Sequence, residues 1–238
     1  MIVACWSGPR NISTALMRSW SSRRDTFVSD EPFYAHYLKS TQNNHPMREK
    51  IIKHYLTDYN KIVTHLTNNI PNQKTVWYQK HMAHHINDLN NIDWIKNFEN
   101  CILIRHPKDV ISSYVKKNTL NHIDEIGYPQ QYKIMKYLDD IGKKFIVIDS
   151  DILLKNPEKI LSQWCNSIDL EFDNSMLRWK KGNHQNDGIW WSHWYDNVIK
   201  STKFQKFSSS DNIVDKKYKL IYDEALDYYK IFFGLCLK

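Results

Sequence analysis

Short runs of branched and aromatic apolar residues recur along the chain, and most stop at a turn signal. Ile2-Val3-Ala4-Cys5-Trp6 stops at Ser7-Gly8-Pro9, and Phe27-Val28-Ser29 stops at Asp30-Glu31-Pro32. Cys101-Ile102-Leu103-Ile104 stops at Arg105-His106-Pro107. Thr75-Val76-Trp77-Tyr78 and Phe145-Ile146-Val147-Ile148 have the same character. Runs this short, bounded this way, predict five buried strands. Helical spacing fills the intervals. Ala15, Leu16 and Trp20 share a face of a helix over 13–20, with Ser13 or Thr14 as its cap. Ile51, Ile52, Tyr55, Tyr59, Ile62 and Leu66 predict one helix over 46–69. Further helices are expected over about 108–117, from Asn156-Pro157 onward with Asn as cap and Pro in the first position, and over 218–233. Strands alternating with helices predict an α/β fold, a three-layer sandwich around a central, mainly parallel sheet.

Ligands of such sheets bind beyond the carboxyl ends of the strands. Segments 7–14, 30–36, 79–85 and 105–113 lie there, and all four carry polar or ionisable clusters. The 238 residues are read as one domain, 1–238. The net charge of +7 comes from basic residues scattered singly and in pairs, with no run of five. That pattern argues against a nucleic-acid partner and leaves a phosphate-rich small molecule. Cys5, Cys101, Cys165 and Cys236 show no CxxC spacing and read as buried thiols of a cytoplasmic protein. No signal-peptide pattern and no apolar run of membrane-spanning length is present.

Ser7-Gly8-Pro9-Arg10-Asn11-Ile12-Ser13-Thr14 joins the first strand to its helix. Backbone N–H groups and the helix dipole favour an anion there, Arg10 adds a planar positive fork, and Ser13 and Thr14 add hydroxyl donors. The Walker A pattern would need Gly at position 13 and Lys at position 14, so an ordinary ATPase is not indicated. In Arg105-His106-Pro107-Lys108-Asp109-Val110-Ile111-Ser112-Ser113, a strand-end Arg is followed eight residues later by a helix Ser.

Those two segments together resemble the phosphosulfate-binding motifs of sulfotransferases that use 3′-phosphoadenosine 5′-phosphosulfate (PAPS). The resemblance implies a P-loop NTPase-like sulfotransferase fold of the small bacterial type. It also implies PAPS as co-substrate, a metal-free site and transfer to a small-molecule or carbohydrate acceptor. Arg105 and Ser113 match the family's 3′-phosphate pair. Arg10, Asn11, Ser13 and Thr14 fall in its 5′-phosphosulfate loop. Lys180-Lys181-Gly182 is similar to the basic-basic-Gly loop that closes over the 3′-phosphate, and Asp30-Glu31-Pro32-Phe33 to a Glu-Pro segment of carbohydrate-type and some bacterial members. The likeness runs from about residue 2 to about residue 195. Two departures stand out: Ile12 replaces the loop's Gly, and Ala15 replaces an aromatic that often stacks the adenine. A Trp from 190–194 is then the candidate platform by residue type.

For the reaction, Arg10 and Lys80 suit the leaving side. Two candidates remain for the general base. His81 has an ordinary pKa close to the task, but Lys80-His81 is one residue tighter than the family's Lys-x-His. Glu31 matches without a shift and needs its pKa raised, with Asp30 as the neighbour that could raise it. His81, His84 and His85 also invite a zinc reading, but the Glu that such a hydrolytic motif requires is replaced by His84. A P-loop-like nucleotide- or phosphate-binding protein without sulfuryl transfer is the competing function. Arg105 and Ser113 discriminate, since a 3′-phosphate pocket has no use in an ATP or GTP site.

Overall fold

A computed structural model describes residues 1–41, 43, 45–86, 89, 91–207 and 212–238. Five parallel strands form one sheet in the order β2-β3-β1-β4-β5: β1 Ile2–Ser7, β2 Thr26–Asp30, β3 Val76–Met82, β4 Glu99–Ile104 and β5 Phe145–Asp149. The α-helices are α1 Ser13–Ser21, α2 Tyr34–Thr41, α3 Arg48–His54, α4 Tyr59–Leu66, α5 Pro107–Tyr114, α6 Tyr128–Asp140, α7 Ser150–Lys155, α8 Pro157–Ser167, α9 Trp191–Trp194 and α10 Lys219–Gly234.

Side chains alternate across a strand, so each strand feeds both faces of the sheet. Val3, Cys5, Val28, Val76 and Tyr78 pack with Leu16 and Trp20 of α1 and Trp164 of α8. Ala4, Trp6 and Trp77 pack on the other face with Ile62 and Leu66 of α4 and Ile134 and Leu138 of α6. α5 and α10 close the β4–β5 side around Ile102, Ile104, Val147 and Phe232. The sheet therefore lies between two helical layers, as the pattern of short apolar runs predicts. All four cysteines are free and buried. Among the described residues no helix is long and apolar enough to cross a membrane.

Three expectations need correction. The 46–69 helix is two helices, because the chain turns extended at Tyr55 and restarts at Asp58, whose carboxylate accepts from Lys61 N at 2.9 Å. Neither Ser13 nor Thr14 caps α1. Its N-cap is Ile12 in the left-handed region, with no side-chain cap bond. Finally, β3 continues through residues 79–82, which were expected to be loop, and every residue of that strand is buried. The expected Asn156 cap is present, accepting from Lys159 N at 3.2 Å, with Pro157 opening α8.

Candidate active site

The carboxyl ends of β1, β2, β3 and β4 open onto a cavity of about 630 Å³. All four segments singled out in the sequence line it, the 79–85 segment through Lys80 and Met82 of β3 and through His84 and His85 just beyond the strand.

The loop after β1 is held close to the sheet. A Cβ on Gly8 would meet the Ile126 carbonyl oxygen at 2.3 Å, so only glycine fits that approach. Asn11 Nδ2 donates to the Leu103 carbonyl at 3.2 Å, and Ser150 Oγ lies 2.9 Å from the Asn11 carbonyl. Two non-glycine residues of the loop take a glycine-like backbone: Ile12 has φ 57° and Arg10 has φ 66°. A β-branched side chain in that region is a strained conformation, of the kind concentrated at ligand loops.

This loop brings the two phosphate-type motifs together. Arg10 Nε donates to Ser113 Oγ at 2.8 Å, and Arg105 Nη1 donates to the Arg10 carbonyl at 3.2 Å. Arg10 and Arg105 thus share one wall of the cavity. Burial, and after it the charge of Arg105, lower the Arg10 pKa from its ordinary value. Asp151 offers Arg105 only a 3.7 Å approach. Two neighbouring guanidinium groups on a cavity wall, with hydroxyls beside them, form a cradle for a polyanion.

A second cluster lies across the cavity. Lys80 Nζ donates to Asp30 Oδ1 at 2.8 Å, Glu31 Oε1 at 2.6 Å and Tyr195 Oη at 2.9 Å. Asp30 Oδ2 accepts from Tyr195 Oη at 2.5 Å and from Gly188 N at 3.0 Å. Lys80 and Asp30 are each 1% exposed at the side chain, and Glu31 is 12% exposed. Burial raises the Glu31 pKa, Lys80 opposes that and Asp30 adds to it, and the net shift is upward. For Lys80, burial lowers the pKa, but the charges of Asp30 and Glu31 outweigh it and carry it well above its usual value. Glu31 itself has φ 43° and is fixed by its N–H to the Lys80 carbonyl at 2.9 Å.

A sequence model of the sulfotransferase domain matches residues 1–233. The chain belongs to the sulfotransferase-domain family. Its relatives include branched-chain-amino-acid aminotransferase-like proteins 1 and 2 of Arabidopsis thaliana. Each is 32% identical over 203 residues, which is 85% of this chain. The chain spans only 36% of the length of those curated relatives. The sulfotransferase domain from the olefin synthase of Synechococcus PCC 7002 has a similar structure, with TM-score 0.60 and 15% identity over 96% of this chain and 94% of that one. So does the sulfotransferase domain from the curacin biosynthetic pathway, with TM-score 0.59 and 15% identity over 94% and 96%. These likenesses establish the fold, the P-loop-like α/β sandwich of sulfotransferases.

In this sulfotransferase fold Arg10, Asn11, Ser13, Thr14, Glu31, Lys80, Arg105 and Ser113 all line the cavity. His81 does not. Strand alternation sends Lys80 to the cavity face and His81 to the opposite face, where it stacks on Trp6 at 4.3 Å and lies 3.1 Å from Gln79 Oε1. Burial pushes its pKa down to about 3. That placement argues against His81 as the base. Lys180 and Lys181 are exposed and lie outside the cavity lining. The loop after them is tied to α1 instead: Arg18 pairs with Asp187 at 2.5 Å and reaches the Gly182 carbonyl at 3.4 Å. Trp194 lines the cavity, whereas Trp190 is packed beneath it with Nε1 donating to Tyr195 Oη at 3.2 Å. Sequence reasoning missed Tyr195, Trp179 and the Lys203–Phe207 segment, which also line the cavity. The alternation Lys203-Phe204-Gln205-Lys206-Phe207 was the available signal. Among the described residues no group of His, Cys, Asp or Glu is placed to hold a metal ion.

Proposed function

We propose that this chain transfers a sulfuryl group from PAPS to an acceptor hydroxyl or amine. The observation that carries the reading is the meeting of Arg10, Arg105 and Ser113 on one cavity wall, which joins two motifs 103 positions apart in sequence. A donor with phosphates at both its 3′ and 5′ positions needs two cationic seats, and an ordinary nucleoside diphosphate needs one. Arg105 and Ser113 take the 3′-phosphate. Arg10, the N–H groups at the start of α1, Ser13 and Thr14 take the 5′-phosphosulfate. Trp179, Phe204 and Phe207 line the same cavity with Ala15 and supply the aromatic surface that Ala15 lacks for the base. Lys203 and Lys206 take the closing role that sequence gave to Lys180 and Lys181.

In the reaction the acceptor oxygen or nitrogen attacks sulfur in line. The new bond to sulfur forms as the bond from sulfur to the bridging phosphate oxygen breaks. That oxygen keeps the electron pair and leaves as part of adenosine 3′,5′-bisphosphate, its charge met by Arg10. The acceptor proton passes to Glu31, whose raised pKa suits a general base. Lys80 is anchored by three oxygens and serves to hold Glu31 rather than to follow the leaving group. Positioning and fixed charge supply most of the rate, as in phosphoryl transfer.

The test is transfer of label from ³⁵S-PAPS to a panel of alcohols and amines. Labelled product that disappears with Arg105→Ala supports the reading. Absence of transfer to every acceptor, together with tight binding of ADP, supports the competing nucleotide-binding protein.

A further inference from the structure

Glu31 has one committed oxygen and one open oxygen. Lys80 holds Oε1 at 2.6 Å, so Oε2 is left to receive a proton. His85 Nδ1 lies 3.9 Å from Oε2, beyond hydrogen-bonding distance. That nitrogen is buried and has no hydrogen-bond partner, in a residue only 3% exposed. The ring is also clamped, because Tyr34 stacks on it at 4.8 Å and 2°, and Tyr37 at 4.7 Å and 24°. A buried polar atom without a partner is uncommon and costly. A single oxygen placed about 2.8 Å from both atoms would satisfy each of them. Both residues line the cavity.

We propose that the gap between Glu31 Oε2 and His85 Nδ1 seats the acceptor oxygen, and that the acceptor is an uncharged alcohol carried on an aromatic body. The inference rests on the sulfuryl-transfer reading and narrows its acceptor. A hydroxyl can give its hydrogen to Glu31 while a lone pair accepts from the Nδ1–H of His85. An ammonium group has no lone pair to offer. The groups facing His85 keep it neutral: burial first, then His84, His45, Lys80 and His81, all lower its pKa well below the usual value. His84 is pushed down to about 3 in the same way. Lys80 is occupied by Asp30 and Glu31, and Lys117 at the rim by Asp196 at 2.5 Å. An anionic acceptor therefore meets no unpaired cation among the described residues at this end. Tyr34, Tyr37, His45, Met82 and Trp194 present ring and thioether surface instead.

The experiment uses the full chain, ³⁵S-PAPS and three acceptor probes: 2-phenylethanol, its isostere 2-phenylethylamine, and glucose. The affinity for adenosine 3′,5′-bisphosphate is measured by calorimetry on the same preparations. The alcohol should be favoured over the amine and glucose by about tenfold or more in kcat/KM, the scale of one hydrogen bond gained or lost. His85→Phe keeps the ring stacks and removes Nδ1. It should lower kcat/KM for 2-phenylethanol by about tenfold, with bisphosphate affinity within about twofold of wild type. His85→Asn, whose amide nitrogen falls near the Nδ1 position, should recover part of the loss. Preference for the amine or glucose, no sulfation of any probe despite bisphosphate binding, or wild-type activity in His85→Phe would each overturn the inference. Failure of the wild type to bind the bisphosphate would instead overturn the PAPS reading, and the inference would fall with it.

Discussion

Replacing Lys80 by Met keeps the length and apolar stem of the side chain and removes its charge. In the native cluster Lys80 Nζ lies within 2.9 Å of Asp30, Glu31 and Tyr195. The ammonium and the Asp30 carboxylate are each 1% exposed, so water cannot replace the lost partner. Breaking a buried pair by removing one member costs about 3–5 kcal/mol, since the remaining charge stays buried and uncompensated. At about 2–4 °C per kcal/mol for a chain of this size, the melting temperature should fall by about 6–20 °C. The loss should also depend on pH in a definite direction. Lys80 holds the Glu31 pKa down against burial and Asp30, so its removal lets that pKa rise further. A folded state with a raised carboxyl pKa binds a proton more tightly than the unfolded chain and gains stability as pH falls. The gap between Lys80→Met and wild type should therefore be widest at pH 8 and narrow toward pH 5. Adding Asp30→Asn to Lys80→Met should restore part of the stability, because the orphaned charge goes with its partner. Urea unfolding at the two pH values measures all of this. A loss below about 1 kcal/mol at pH 8, or one that does not change with pH, would mean that Lys80 does not hold a buried charge pair in this way.

Other expectations concern the donor, the base and the role of metal. Arg105→Ala should weaken adenosine 3′,5′-bisphosphate binding by about 2–4 kcal/mol and Ser113→Ala by about 1 kcal/mol, both by calorimetry. Unchanged selectivity for the 3′-phosphate in either variant would contradict the pocket assignment. Glu31→Gln should lower kcat by about 10²- to 10⁴-fold at near-native bisphosphate affinity. Since the base must be ionised, wild-type activity should be lost as pH falls through the Glu31 pKa, on a limb above the ordinary carboxylate value of 4.5. His81→Asn should cost about 1–3 kcal/mol of stability and leave that limb in place; a limb that moves with His81 would return the role to it. Activity should survive EDTA, because Arg10 and Arg105 supply the positive charge on the phosphates. Loss restored by added Mg²⁺ would show otherwise.

The legible and illegible parts of the chain divide along a physical line. β1, β4 and β5 each centre on an apolar run, residues 2–6, 101–104 and 145–148, and local sequence marks them. Asn156-Pro157 is a local cap signal and behaves as one. The end of β3 is different. Gln79, Lys80 and His81 are polar yet buried, because Gln79 finds the Leu66 carbonyl, Lys80 finds Asp30 and His81 stacks on Trp6. Those partners are remote in sequence, so the strand looks like a loop, and the alternation that separates Lys80 from His81 is hidden with it. Tyr55 shows the same effect: its hydroxyl accepts from Ile189 N at 3.1 Å, beside the break in the expected long helix. The Arg10–Ser113 meeting was legible only as two motifs in order, each after a strand, and Tyr195 not at all, since its partners are Asp30 and Lys80. Lys180-Lys181 is a basic pair that reads alike whether it faces a ligand or solvent, and both side chains stand exposed outside the cavity lining.

Whether this cavity holds a nucleotide with a 3′-phosphate can be read from thermal unfolding with two ligands. Adenosine 3′,5′-bisphosphate and ADP are compared at equal concentration with the intact chain. At 100 times its Kd a ligand stabilises the folded state by about 2.7 kcal/mol, which is about 5–11 °C here. The bisphosphate should give a shift of that size and ADP little, and the difference should collapse in Arg105→Ala. An equal or larger shift with ADP, unaffected by Arg105→Ala, would contradict a 3′-phosphate site here.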